Sequence, residues 1–589
     1  MSGELFLHLI EANISRRIEL KAKQPIHLLC LTLLLASLFG GCGPSGRESG
    51  PDRSDLKFAI TFPKEITQAV SEFNLKVPIT GRVFVIITDN DEKEPRLQTG
   101  FDPAWGIPIY GKNVENLKPG EKAIIDDDVF GFPYENLHDL PPGEYFIQGI
   151  ISLYTEFKRA DGHTLWLHND QWEGQKWNIS PGNIYSDVKK VRIDPGKAQT
   201  FELECDHVIP PIEVPPDTKY VKRIKFQSEI LSTFWGQPMY LGATILLPEG
   251  YDDHPDVYYP VNYGQGHFSL RNPFGFREEP PGEDDTRGRQ KSGYDFYKYW
   301  TSEDCPRMLA VTFQHPCPYY DDSYAVNSPN TGPYGDAIMQ ELIPRLEERF
   351  RIIRKPYARV LSGGSTGGWI SFALQVLHPD FFGGTWSLCP DPLDFRYYEL
   401  INIYEDENAY YREYNKIKAE RPEARGTDGQ VRYTVRDTYY YEWTLGDKHR
   451  GGRQWAIWEA VYTPIGKDGY PQPLWNWYTG EIDHDVAEAW KKYDMRHYLE
   501  TNWSWLGPKL VGKLHVYTGD MDTYYLDNAV VLLEDFLEST TDPYYEGVIA
   551  YGDRKPHCWG PRGQEILRLF SEHITAHAPS GENPEKWKY

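Results

Sequence analysis

From about residue 220 onward, short apolar runs alternate with longer amphipathic stretches. Runs rich in Val, Ile, Leu and aromatic residues at 242–247, 258–263, 308–313, 358–363, 384–388, 513–518 and 545–551 predict strands. Apolar residues at helical spacing predict helices at 334–350, 366–378, 484–499, 524–538 and 561–576. Strand–helix alternation with nearly continuous apolar strands implies a mostly parallel sheet covered by helices. Between about 393 and 480 the alternation stops, and the chain becomes dense in Tyr, Trp, Arg and Glu. That span is too long for a structureless loop. It reads as a lid over whatever lies at the strand ends, its aromatics serving either as its own core or as a substrate-facing surface. On that reading it sets specificity and can be shortened without loss of the underlying chemistry.

The first third has a different period. Within 56–205, short runs such as Arg82-Val83-Phe84-Val85-Ile86-Ile87-Thr88 are separated by Pro, Gly and Asp turns, which predicts an all-β sandwich domain. The Asp run 126–128 lacks the spacing of a calcium loop and reads as a solvated turn. Four prolines within 206–219 mark a semi-rigid linker. The segment 220–580 is then the α/β domain, with 393–480 inserted in it.

At the N-terminus, Arg16, Arg17, Lys21 and Lys23 precede a short apolar run at 28–39, which ends in Gly40-Gly41-Cys42-Gly43. A basic region, a short apolar core and a small-residue exit read as a secretory signal, too short for a membrane span. The Gly-Gly-Cys exit resembles the lipobox of bacterial lipoproteins. That resemblance makes 1–42 the signal peptide, with Cys42 as the acylated mature N-terminus, and implies an exported lipoprotein held at the outer membrane, periplasmic or cell-surface side. Residues 43–55, rich in Gly, Ser and Pro, are the flexible tether. The 589-residue chain carries a net charge of −24, which argues against nucleic acid as a partner. Its 18 Trp, 41 Tyr and 26 Phe leave room for aromatic binding surfaces. Seven Cys are sparse, so disulfides do not define the fold, although one or two could form among Cys205, Cys305, Cys317, Cys389 and Cys558 after export. Neither CxxC nor HExxH occurs, so zinc has no motif here.

The chemistry concentrates where the strand 358–363 runs into Gly363-Gly364-Ser365-Thr366-Gly367-Gly368 and an amphipathic helix. This is G-x-S-x-G in strand–turn–helix context. The serine stands on a strained turn, and small neighbours let strand and helix approach. A serine hydroxyl is a weak nucleophile and needs a base oriented by an acid, in chain order Ser, acid, His. Of the histidines after Ser365, only His557 lies in a loop between the last strand and the last helix. The acid belongs after the penultimate strand, where Asp520 and Asp522 are both available and one can cap the following helix. Asp522 is preferred.

These pieces resemble the putative-esterase branch of the α/β hydrolases, which holds esterase D, feruloyl esterases and enterochelin esterases. The resemblance spans about 220–580. Tyr259-Pro260-Val261 with the following Asn262 to Phe268 resembles the family's Tyr-Pro-Val strand and oxyanion loop. Glu341-Leu342-Ile343-Pro344 resembles its Leu-Ile-Pro helix, and His378-Pro379-Asp380 the segment after its nucleophile helix. The family's Gly-x-x-Asp turn maps onto Gly519 to Asp522, which supports Asp522. Its His-Gly pair is replaced here by Gly266-His267. The resemblance therefore implies oxyanion donors from the backbone of Thr366 and of the loop 266–268, Phe268 ahead of His267.

The reading is an exported serine carboxylic-ester hydrolase on an α/β-hydrolase fold, needing no cofactor. It acts on small-molecule or polysaccharide-borne esters and has a membrane partner through its lipid. A serine peptidase or an acyltransferase on the same fold is the alternative among enzymes, and a surface binding protein the alternative outside them.

Overall fold

A computed structural model describes residues 53–100, 106–282 and 288–588. The signal segment, Cys42 and most of the tether fall outside the described residues. The described residues form one compact unit.

Eight strands make the central sheet: β1 (Val221–Ser228), β2 (Met239–Leu246), β3 (Val261–Gln265), β4 (Leu309–Gln314), β5 (Arg359–Gly364), β6 (Gly384–Leu388), β7 (Leu514–Gly519) and β8 (Val548–Gly552). They lie in the order β1-β2-β4-β3-β5-β6-β7-β8. The β1–β2 and β2–β4 pairs are antiparallel, and every pair from β4–β3 to β7–β8 is parallel. With helices such as Thr366–Leu377 and Asp527–Ser539 between successive strands and Gln564–Ala576 after the last one, this is an α/β-hydrolase fold. The order of the strands has a functional consequence. Ligand chemistry in open α/β sheets collects beyond the carboxyl ends of the strands, and those ends of β3, β5, β7 and β8 carry the candidate residues.

The helix expected over 334–350 is one helical run interrupted by a π turn at Ile338–Leu342, just before Pro344. The single helix expected over 484–499 is two, His484–Trp490 and Met495–Leu510. The first run ends at Trp490, and Asp494 caps the second, its side chain accepting from the His497 amide at 3.0 Å.

In the first third, a nine-stranded sheet runs through Leu56–Thr61, Ile79–Thr88, Gly143–Leu153 and Gln199–Val208. Alternation along Ile79–Thr88 divides its faces. Val83, Val85 and Ile87 join a separate apolar core with Phe58, Ile60 and Leu203, while Phe84 and Ile86 join the core of the α/β part. Asp127 of the acidic run is no solvated turn: it is buried and accepts from the amides of Ser54 (3.0 Å) and His138 (2.8 Å).

The inserted span is ordered. It contains the hairpins Tyr411–Tyr414/Ile417–Glu420 and Pro422–Arg425/Val431–Thr434 and the helices Val435–Leu445 and Gln454–Tyr462. Trp455, Trp458, Trp475, Tyr410 and Tyr439 are buried and touch one another edge to face or at a tilt. Carboxylates pin this cluster. Glu442 accepts from the amides of Trp455 and Ala456, and Glu459 from the Tyr439 hydroxyl and the Leu474 amide. The span also binds the N-terminal third: the Tyr441 hydroxyl donates to Gly100 O, and Arg82 of the sheet donates to Thr444 O. These aromatics are structural core on both sides, which does not suit a detachable lid.

Candidate active site

The turn after β5 explains its own sequence. Ser365 sits at φ 59°, ψ −126°, between β5 and the helix Thr366–Leu377. A Cβ on Gly363 would lie 2.2 Å from Gly367 O, and one on Gly367 would lie 2.2 Å from Gln265 O. Both outer positions of G-x-S-x-G are therefore closed to any side chain. The second contact also brings the end of β3 against the first turn of the helix. Ser365 donates its amide to Leu388 O at 2.9 Å, which anchors the turn to β6. The Thr366 amide lies in the first helical turn, where N–H groups have no intrahelical acceptor and the helix dipole favours negative charge.

Asp522 and His557 are brought together from the ends of β7 and β8. The two are joined by a 2.7 Å contact between His557 Nδ1 and Asp522 Oδ2. Asp522 is fully buried, and its other oxygen accepts from the amides of Tyr524 (2.9 Å) and Leu526 (3.4 Å). Asp520 is exposed and engages its neighbours through its backbone. Burial alone would lower the His557 pKa, but the charge and hydrogen bond of Asp522 outweigh it and push it up to about 10, with the Cys558 thiol adding in the same direction.

The hydroxyl of Ser365 does not reach His557 by a hydrogen bond among the described residues. It donates instead to Asp391 Oδ1 at 3.3 Å, a long and weak bond. Asp391 follows β6 and was not anticipated from the sequence. It is buried and collects the Tyr324 hydroxyl, Thr366 Oγ1 (3.0 Å), Gln454 Nε2 (3.2 Å) and Trp458 Nε1 (3.3 Å). Burial raises its pKa, although the hydrogen bonds from Tyr324 and Thr366 oppose this. Through Gln454 and Trp458 the inserted span thus reaches the floor of the nucleophile turn.

Of the expected oxyanion-loop residues, His267 turns its ring to two carboxylates, Asp321 (3.0 Å) and Asp322 (3.3 Å). Desolvation works against the charged ring, but those carboxylates prevail and raise its pKa. Phe268 packs edge to face on Trp172 at 5.1 Å and lies against Gly174, where an added Cβ would stand 2.8 Å from its ring. The side chains of the loop are therefore committed to packing and ion pairing, which leaves its backbone for a ligand. An open cleft of about 1090 Å³ lies beside this loop, lined by Trp172, Arg223, His267, Phe268 and Arg277 among others; Ser365 and His557 are not among its lining residues.

All five cysteines at 205, 305, 317, 389 and 558 are free thiols, so no disulfide of the expected kind is formed. Among the described residues, two groups of side chains lie close enough to hold a cation: Cys389, His557 and Cys558, and His267, Asp321 and Asp322.

Residues 241–431 match the model of the family described as "Putative esterase". The match takes in Ser365 and ends ahead of Asp522 and His557. It bears out the resemblance read from the sequence. Among solved structures, the chain is similar to a ferulic acid esterase at 14% identity, covering 60% of this chain and 96% of that one, with a TM-score of 0.34. It is similar to an S-formylglutathione hydrolase from Agrobacterium tumefaciens at 12% identity, 61% and 95% coverage and a TM-score of 0.31. A ferulic acid esterase from Anaeromyces mucronatus gives 14% identity, 61% and 90% coverage and a TM-score of 0.27. Comparison with curated proteins gives no match.

Proposed function

We propose that this esterase-type α/β hydrolase is an exported serine carboxylic-ester hydrolase working through Ser365, His557 and Asp522. The observation that carries the proposal is the strained Ser365 turn at the sheet end, where β7 and β8 also deliver the hydrogen-bonded His557–Asp522 pair. Ser365 Oγ exchanges its weak bond to Asp391 for one to His557 Nε2 when an ester is bound, and attacks the acyl carbon. His557 takes the proton and later gives it to the departing alcohol. Asp522, with one oxygen held by backbone amides, fixes the ring tautomer and balances the imidazolium. The tetrahedral oxyanion is stabilised by the amides of Thr366 and of His267 or Phe268, whose side chains are otherwise engaged. Water then releases the acid by the same relay.

A panel of aryl, acetyl and carbohydrate-borne esters beside matched anilides tests the reaction class. Turnover of esters with little on the anilides is expected, and preference for anilides overturns the reading. We read the N-terminal sheet as a β-sandwich that spaces the enzyme from its anchor or touches a polysaccharide carrying the ester.

The acid assignment has a pH signature. Because His557 is raised above the ordinary value of about 6.5 and must be neutral to act as base, kcat/KM should climb with pH along a limb displaced to the alkaline side. The same shift stabilises the fold below the unfolded value and loses that contribution as pH rises through the folded one. Asp522→Asn should lower kcat on the order of 10³–10⁴-fold and move the limb toward acid, while Asp520→Asn stays within about threefold of wild type. A larger loss from Asp520→Asn would reverse the assignment.

Export rests on the N-terminal pattern ending at Cys42. Mass spectrometry of native material should find the mature chain starting at an acylated Cys42, and Cys42→Ser should release it from membranes. An unmodified N-terminus beyond residue 43 would reject the anchor.

A further inference from the structure

Two thiols stand beside the candidate base. Cys389 follows β6 and Cys558 follows His557, 169 residues apart in the chain, so no sequence motif joins them. A Cβ on Gly364, the residue before Ser365, would lie 3.4 Å from Cys558 Sγ and 4.0 Å from Cys389 Sγ. Both thiols therefore cover the end of β5 next to the nucleophile. Cys389 (φ 39°) and Cys558 (φ 64°) are held in left-handed backbone, the region Ser365 also occupies. Such strain persists only where surrounding structure enforces it.

We infer that Cys389 Sγ, Cys558 Sγ and His557 Nε2 form a binding site for a single thiophilic divalent cation, Zn²⁺ or Cd²⁺, whose occupation switches the esterase off. The donor atoms of these three residues all lie within 4.8 Å of one another. A tetrahedral zinc with Zn–S of about 2.3 Å and Zn–N of about 2.0 Å needs donors roughly 3.5–3.8 Å apart, a contraction that side-chain rotation supplies. His557 Nδ1 is taken by Asp522, which leaves Nε2 for the ion. A carboxylate behind the distal nitrogen is the arrangement that orients histidine ligands and raises their basicity. Cysteine ligates as its thiolate, so an ion entering the site displaces the proton of each thiol. Binding releases these protons to solvent, and the two thiolates neutralise the ion. Three protein donors leave a fourth position for water.

The inhibitory consequence rests on the proposed role of His557, since a nitrogen lone pair bound to metal cannot take the Ser365 proton; the binding site itself does not rest on it. The reduced, desalted full chain is titrated with Cd²⁺ while the thiolate-to-cadmium charge-transfer absorption is followed in the ultraviolet. One Cd²⁺ per chain is expected, with the band lost in both Cys389→Ser and Cys558→Ser. Ester turnover of the wild type should fall about 10²-fold or more as the band saturates, return on chelation, and resist Cd²⁺ in the variants. No band, a band undiminished in both variants, or recovery of the two thiols as a disulfide from unreduced material overturns the site. Binding that leaves turnover unchanged overturns the switch. A metal-free chain that binds one Cd²⁺ through both thiols but hydrolyses no ester upholds the site and refutes the esterase reading instead.

Discussion

Ser365→Ala should reduce turnover of an activated ester by about 10⁴–10⁶-fold while leaving the fold intact, and His557→Ala should do nearly the same. The expectation follows from how the turn is built. The steric closure at Gly363 and Gly367 fixes the path of the backbone whatever side chain stands at 365, so alanine removes the hydroxyl without moving its surroundings. The residual rate would come from binding and the oxyanion amides alone. Because the two residues act as one unit, the double variant should be little worse than either single one. Circular dichroism and thermal melting check the fold, and an aryl acetate reports the chemistry. A Ser365→Ala protein that keeps more than about a hundredth of wild-type turnover would place the nucleophile elsewhere.

Excision of residues 400–480 in favour of a short linker should yield no folded enzyme, and turnover of small and bulky esters should vanish together. Trp455 and Trp475 are 1% exposed and Trp458 3%, so all three are core. Truncating one such tryptophan costs about 3–5 kcal/mol, against a typical total stability of about 5–15 kcal/mol for a domain. Excision would also strip Gln454 and Trp458 from Asp391 and uncover Phe132 of the N-terminal sheet, against which the Tyr441 ring packs. A shortened protein that melts cooperatively and keeps its aryl acetate turnover would show that the span is a removable lid after all.

Much of the α/β part is legible because its central strands are buried along most of their length and are nearly free of charged residues. The strands expected at 358–363 and 384–388 appear as Arg359–Gly364 and Gly384–Leu388. Ser365 and His557 stand out because a steric motif and a loop position identify them locally. The edge strand Val221–Ser228 and the helix Arg289–Trp300 escape notice because Lys and Arg interrupt their apolar pattern. Asp391, Tyr324, Gln454 and Trp458 belong to no motif. They come from three separate stretches, and only the fold makes them neighbours. The aromatics of 393–480 show the limit of composition as a guide, since a substrate-facing surface and a buried core draw on the same residues. Burial alone separates the two, and it depends on what the N-terminal sheet covers.

The most direct measurement of the central claim is labelling of the full chain with a fluorophosphonate, read by intact mass and peptide mapping. One adduct per chain on Ser365 is expected, absent in Ser365→Ala and greatly slowed in His557→Ala. Continued ester turnover with no adduct, or an adduct on a residue other than Ser365, would contradict the account.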